Sequence, residues 1–153
     1  MIALKDYQQR SARDFLRRCG QGDFVFRKHY FGPRPGDLTE KKADGSRTAE
    51  MRCAEFLDGL PEVETWVRNL SRRATSFRLQ TSKDWFYPDF VCLLMDGRIL
   101  VVEYKGDHLW DDTQEKRDVG AVWESRSDGK CIFVMPRAGD MEALITQKIS
   151  GDR

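Results

Sequence analysis

The sequence predicts an α/β fold with a central mixed β-sheet flanked by helices, and three observations carry that prediction. Short apolar runs rich in β-branched and aromatic residues, such as 90–95, 99–104 and 131–135, have the length of strands rather than helices. Segments with helical spacing of apolar residues lie before and after them. The resulting order is helix, three or four strands, helix, strand, an interleaving that favours helices packed on a sheet.

Taken along the chain, Ile2 to Cys19 places apolar residues compatibly with one helix, and Gly20-Gln21-Gly22 provides a stop. Between Phe31 and Arg47 lies Gly-Pro-Arg-Pro-Gly-Asp and a charged stretch, which predicts a connector. Residues 1–46 are therefore expected to form an N-terminal helical arm and connector, and 47–153 the main domain. Thr48 to Asp58 reads as a helix ending at Gly59, with Pro61 beyond it. Glu62 to Leu70 and Thr75 to Thr81 have strand-like content, followed by two strands on either side of Asp96-Gly97. Asp111 to Arg126 forms an amphipathic helix through Val119, Val122 and Trp123, Cys131 to Met135 a short strand, and Asp140 caps a last helix through Ile149.

Three ionisable residues, Asp89, Glu103 and Lys105, interrupt the two apolar runs around Asp96-Gly97. Burying unpaired charge costs several kcal/mol, so strands that keep two acids and a lysine near their interior need a compensating partner, and a divalent cation held by the acids is one. Glu103 and Lys105 project from one face of a strand, with Tyr104 opposite. Loop length then decides whether Asp89 meets Glu103. A two-residue turn pairs Met95 with Arg98 and puts the acids on opposite faces. A three-residue loop, Met95-Asp96-Gly97 with Gly97 left-handed, pairs Leu94 with Arg98 and sets Asp89 directly opposite Glu103, with Cβ atoms roughly 4.5–5.5 Å apart. The bulged hairpin is the expectation.

Pro88-Asp89, the intervening residues 90 to 102, then Glu103-Tyr104-Lys105 resembles the signature of the PD-(D/E)XK nuclease superfamily. Leu57-Asp58-Gly59-Leu60-Pro61-Glu62-Val63, Trp66-Val67-Arg68-Asn69-Leu70, Phe86-Tyr87-Pro88-Asp89-Phe90 and Val102-Glu103-Tyr104-Lys105-Gly106 are together similar to the C-terminal endonuclease region of type III restriction enzyme-like helicase-nuclease proteins. The similarity spans Ala49 to Met135. It implies a restriction-endonuclease-like core of order αβββαβ and a metal-dependent endonuclease that hydrolyses DNA phosphodiester bonds in restriction-type defence. Asp89 and Glu103 would hold Mg²⁺ or Mn²⁺ as hard oxygen ligands, and the backbone carbonyl of Tyr104 could add another. Lys105 would orient the attacking water or stabilise developing charge.

A further acid comes from the first core helix. Glu50 shares a face with Cys53, Ala54 and Leu57 and points towards the sheet, whereas Glu55 sits with Arg52 and Asp58 on a more polar side. Related nucleases take a metal-coordinating or site-shaping glutamate from this helix, so Glu50 is the candidate, with an exposed helix glutamate as the plain alternative. They also place a polar residue on the helix after the site, which nominates Lys116, with Gln114 and Glu115; ordinary helix-surface charge is the plain alternative. Arg68, Arg72, Arg73 and Arg78 form the densest basic run and could contact phosphates; a solvated surface is the other reading. Trp85, Trp110 and Trp123 read as core or site-wall residues, and His108 as a loop histidine.

Composition bounds the remaining choices. With 153 residues, 33% charged, 40% hydrophobic and a net charge of +1, the chain exerts no global pull on DNA. Cys19, Cys53, Cys92 and Cys131 include no CxxC pair and read as reduced thiols of a cytoplasmic protein. No apolar run approaches the ~18 residues a membrane span needs, so a membrane is not an expected partner. Leu4-Lys5-Asp6-Tyr7-Gln8-Gln9 looks like the opening of a superfamily-two helicase, but no phosphate-cradling G-x-x-x-x-G-K-[ST] loop follows, so ATP is not expected. The chain reads as a remnant or internal deletion of a longer helicase-nuclease. The resemblance to restriction-type nucleases implies DNA, a second copy of the chain, and a helicase or modification subunit as partners. The alternative function is a non-catalytic nucleic-acid-binding or assembly module that retains the nuclease fold.

Overall fold

A computed structural model describes residues 24–33, 38, 43–104, 114–137 and 139–151. The expected helix over Ile2–Cys19, and with it Cys19, Lys105, His108 and Trp110, lies outside the described residues. The elements are α1 (Ala49–Gly59), β1 (Val63–Arg68), β2 (Leu79–Gln80), β3 (Trp85–Phe86), β4 (Phe90–Leu94), β5 (Ile99–Val102), α2 (Gln114–Ser125), β6 (Cys131–Val134) and α3 (Met141–Gly151).

The main sheet has four strands in the order β1-β4-β5-β6; the first three are antiparallel neighbours and β6 runs parallel to β5. The sheet is thus mixed, and the crossover from β5 to β6 carries α2, as a parallel pair requires. Side chains of β5 alternate between two cores. Leu100 and Val102 join Met51, Ala54, Leu57 of α1 and Ile145, Ile149 of α3 on one face, and Val101 joins Phe86 and Phe133, with Val119 and Trp123 of α2, on the other.

Local sequence explains the boundaries. Thr48 caps α1 by accepting the Met51 N–H on its hydroxyl, and Leu60 closes the helix by donating to the Phe56 carbonyl before Pro61 prevents continuation. The β4–β5 loop is the bulged one. Leu94 donates to the Arg98 carbonyl, Gly97 donates to the Leu94 carbonyl, and Gly97 has φ 86°, a conformation only glycine adopts cheaply. At Asp140 the backbone carbonyl receives the Leu144 N–H of α3, while its carboxylate turns back to the Arg137 N–H instead of capping the helix.

Four expectations are corrected. Residues 75–81 do not form a strand of the sheet. Only Leu79–Gln80 is extended, pairing with Trp85–Phe86 in a separate hairpin, because the Asn69 side chain binds both the N–H and the C=O of Phe77. Asp58 does not share a polar side with Arg52. It is 2% exposed and accepts from the N–H groups of Arg27 and Lys28 and from Trp66 Nε1. Residues 24–33 belong with the core rather than with an arm: Phe26 is buried against Trp66, and Lys28 and Tyr30 exchange backbone hydrogen bonds with Trp66 along the outer edge of β1. Trp85 is 43% exposed and not a core residue, whereas Trp123 packs on Phe77 with ring centroids 5.3 Å apart.

Cys53 and Cys92 are buried thiols and Cys131 is half-buried. Burial pushes the Cys53 and Cys92 thiols well above the ordinary range. Among the described residues no helix is long and apolar enough to cross a membrane.

Candidate active site

The site lies where the β4–β5 ladder ends. Phe90 pairs with Val102 and Leu93 with Ile99, so the same register carries Asp89 opposite Glu103. Because Leu94 and Arg98 form a hydrogen-bonded pair, alternation makes Asp89 and Glu103 a non-hydrogen-bonded pair, the kind whose side chains approach more closely. The next pairing would need Pro88, which has no N–H to give. Its carbonyl is taken by Asn69 Nδ2 at 2.7 Å, and the Tyr104 N–H is accepted instead by Asp89 Oδ2 at 2.8 Å. The proline therefore ends the ladder and turns the aspartate side chain into the partner of the strand that carries Glu103.

Glu103 is 4% exposed and Asp89 is half-buried. Burial and the neighbouring Glu103 carboxylate push the Asp89 carboxyl up to about 7, against the opposing pull of Arg68 and the Tyr104 N–H. Two carboxylates opposed in a low-dielectric setting repel, which adds to the effect of burial on Asp89.

Arg68, at the end of β1, is the nearest compensation. Its Nη1 donates to Asp89 Oδ1 at 3.1 Å and to the Asp89 carbonyl at 2.8 Å, and Nη2 donates to Glu50 Oε1 at 3.0 Å. The guanidinium also lies over the Phe90 ring at 5.3 Å. Glu50 does point from α1 towards the sheet, and what it meets there is Arg68. Lys116 Nζ, on α2, lies 3.6 Å from Glu103 Oε1 and 5.0 Å from the centre of the Phe86 ring. Arg72 and Arg73 are exposed, and Arg78 stacks over Trp85 at 4.4 Å. The described residues thus bring together Asp89, Glu103, Tyr104, Glu50, Arg68 and Lys116, and leave Arg72 and Arg73 on the surface.

Asn69 is the residue that sequence reasoning missed. Its amide reaches the carbonyls of Pro88 and Phe77 and the Phe77 N–H, and its own N–H donates to the Asp89 carbonyl at 2.8 Å. A buried amide with both N–H groups and its oxygen engaged fixes the Pro88–Asp89 backbone, and only its place directly after Arg68 signalled it. An open cleft of about 690 Å³ lies beside Tyr104, between α1 and the start of α3, and is lined by neither Asp89 nor Glu103.

No protein family, no curated protein and no solved structure matches the chain. Among the described residues no group of three or more His, Cys, Asp or Glu side chains forms a ready-made metal cage. The donor set is the opposed Asp89–Glu103 carboxylate pair. That set fits a hard divalent cation that keeps much of its own hydration, as Mg²⁺ does, and such a cation would offset the Glu103 repulsion that, after burial, raises Asp89.

Proposed function

We propose that the chain is a metal-dependent endonuclease hydrolysing DNA phosphodiester bonds. The observation that carries the reading is the opposed Asp89–Glu103 pair at the end of a bulged hairpin, with the Asp89 carboxyl pushed up to about 7. A pair of carboxylates in mutual repulsion is poor structural chemistry and good cation-binding chemistry. The order α1, β1, β4, β5, α2, β6, with β2–β3 set apart from the sheet, supports a restriction-endonuclease-like core.

Asp89 and Glu103 would hold Mg²⁺ or Mn²⁺, with the Tyr104 carbonyl beside them. What such an ion supplies is a more acidic water and neutralisation of charge growing on the phosphoryl oxygens. The protein's own part is orientation. The Tyr104 N–H fixes Asp89 Oδ2, Arg68 fixes Oδ1, and Asn69 fixes the backbone beneath both. Lys116, spaced from Glu103 by 3.6 Å, brings a positive charge to the rim where a phosphate would arrive. Lys105, two residues after Glu103, is proposed to orient the attacking water. A second copy of the chain would be needed to cut both strands at once, and a helicase or modification subunit is the proposed partner for substrate delivery.

The test is nicking of supercoiled plasmid and of single-stranded DNA with Mg²⁺ or Mn²⁺, against Asp89→Ala and Lys105→Ala. Metal-dependent cleavage lost in both variants supports the nuclease. Binding of DNA without cleavage, or equal cleavage after substitution, replaces it with a nucleic-acid-binding or assembly module.

A further inference from the structure

The reading of Asp89 and Glu103 as a cation site leaves open how many ions it takes, and Arg68 answers that question. Two-ion sites hold their ions roughly 3.5–4 Å apart, so a second ion beside Asp89 would call on the next acid along, which is Glu50. The space between Asp89 and Glu50 is taken: one guanidinium bridges Asp89 Oδ1 at 3.1 Å and Glu50 Oε1 at 3.0 Å.

That guanidinium is anchored independently of the acids. Nη1 donates to the Asp89 carbonyl at 2.8 Å and reaches the Asn69 carbonyl at 3.4 Å, and the plane rests on Phe90. The side chain is 15% exposed. Moving it aside would break backbone hydrogen bonds and leave two acids uncompensated, and leaving it in place sets a fixed cation against any ion entering there. The second oxygen of Asp89, Oδ2, accepts the Tyr104 N–H at 2.8 Å, and Glu103 Oε1 faces Lys116 at 3.6 Å.

We propose that Arg68 is a built-in replacement for a second metal ion, so that the site binds one divalent cation through Asp89 and Glu103, and Glu50 serves as a positioning residue for Arg68 rather than as a ligand. The proposal rests on the cation-site reading above but not on cleavage.

The experiment is Mn²⁺ stoichiometry on the full chain, read from the free-ion electron paramagnetic resonance signal. Wild type is expected to bind one Mn²⁺ per chain. Arg68→Lys keeps the charge and is expected to stay at one. Arg68→Gln opens the Asp89–Glu50 gap and is expected to bind a second, and adding Glu50→Gln to it should return the count to one. Glu50→Gln alone should change the affinity of the single ion by much less than the roughly tenfold that loss of a direct ligand brings. Two ions or none in the wild type overturns the proposal, as does a count of one in folded Arg68→Gln. If that variant does not fold, the wild-type count and the Glu50→Gln affinity decide alone. A protein that binds one ion and never cuts DNA would refute the nuclease reading and leave this inference standing.

Discussion

Arg68 reaches Asp89 twice, at the carboxylate Oδ1 at 3.1 Å and at the backbone carbonyl at 2.8 Å, and so fixes the main chain and side chain of one residue with one guanidinium. β1 and the β4–β5 hairpin are thereby tied together at the point where the candidate chemistry sits.

Arg68→Ala would strip the compensation from Asp89 and Glu50 together. Removing one partner of a buried ion pair costs roughly 3–5 kcal/mol, and the part-exposed Glu50 lowers the expected loss here to about 2–3 kcal/mol. Urea unfolding near pH 7.5 measures it. A loss under about 0.5 kcal/mol, the range of ordinary surface changes, would show that the bridge is only a surface contact.

Stability should carry a pH signature from Asp89. Its carboxyl titrates near 3.8 when free and is pushed up to about 7 by burial and Glu103. Below about 4 it is protonated in folded and unfolded chains alike, and its contribution is fully present. As the pH rises through about 7 the folded chain must also ionise, and that contribution is lost. Wild type minus Asp89→Asn, compared by urea midpoints at pH 5 and pH 8, should therefore fall with pH, and Mn²⁺ added at pH 8 should restore much of it. A flat difference would contradict the environment assigned to Asp89.

Asn69→Ala should destabilise by about 2–3 kcal/mol, because it leaves the Pro88 carbonyl and both polar groups of Phe77 without their partner. It should also loosen the Pro88–Asp89 backbone, so divalent-ion affinity should fall with stability. Calorimetric unfolding and Mn²⁺ titration of the same variant check the two effects. Loss of stability with unchanged ion affinity would show that Asn69 holds the loop and not the site.

Gly120→Ala tests the layer that carries Lys116. A Cβ at Gly120 would lie 2.2 Å from Phe133 side-chain atoms, so α2 could not keep its seat on β6. Overpacking of this kind costs roughly 1–3 kcal/mol, and thermal unfolding should show it despite alanine's better helix propensity. A more stable variant would mean that α2 is not packed as described.

The hairpin was legible in the sequence because its register is a local matter: Asp96-Gly97 and the side-chain alternation leave few choices, and only the bulged loop brings Asp89 to Glu103. Glu50 facing the sheet followed equally from helical spacing. Asp58 and Asn69 were not legible, because their partners come from distant segments, residues 27 and 28 in one case and Phe77 and Pro88 in the other. Polar side chains that satisfy backbone groups leave no periodic trace. The failure of 75–81 to join the sheet has the same origin, since a strand-like composition yielded to the Asn69 amide. Arg68 stood out as basic in sequence, but only the fold shows that its charge turns inward.

The most direct test of the central claim is Mn²⁺-dependent nicking of supercoiled plasmid by Glu103→Gln beside the wild type, with both shown to be folded. The amide keeps the size and burial of the side chain and removes its charge. The wild type should nick the plasmid, chelator should abolish nicking, and the variant should give none above background. Equal nicking by the two proteins would contradict the Asp89–Glu103 pair as the site of chemistry.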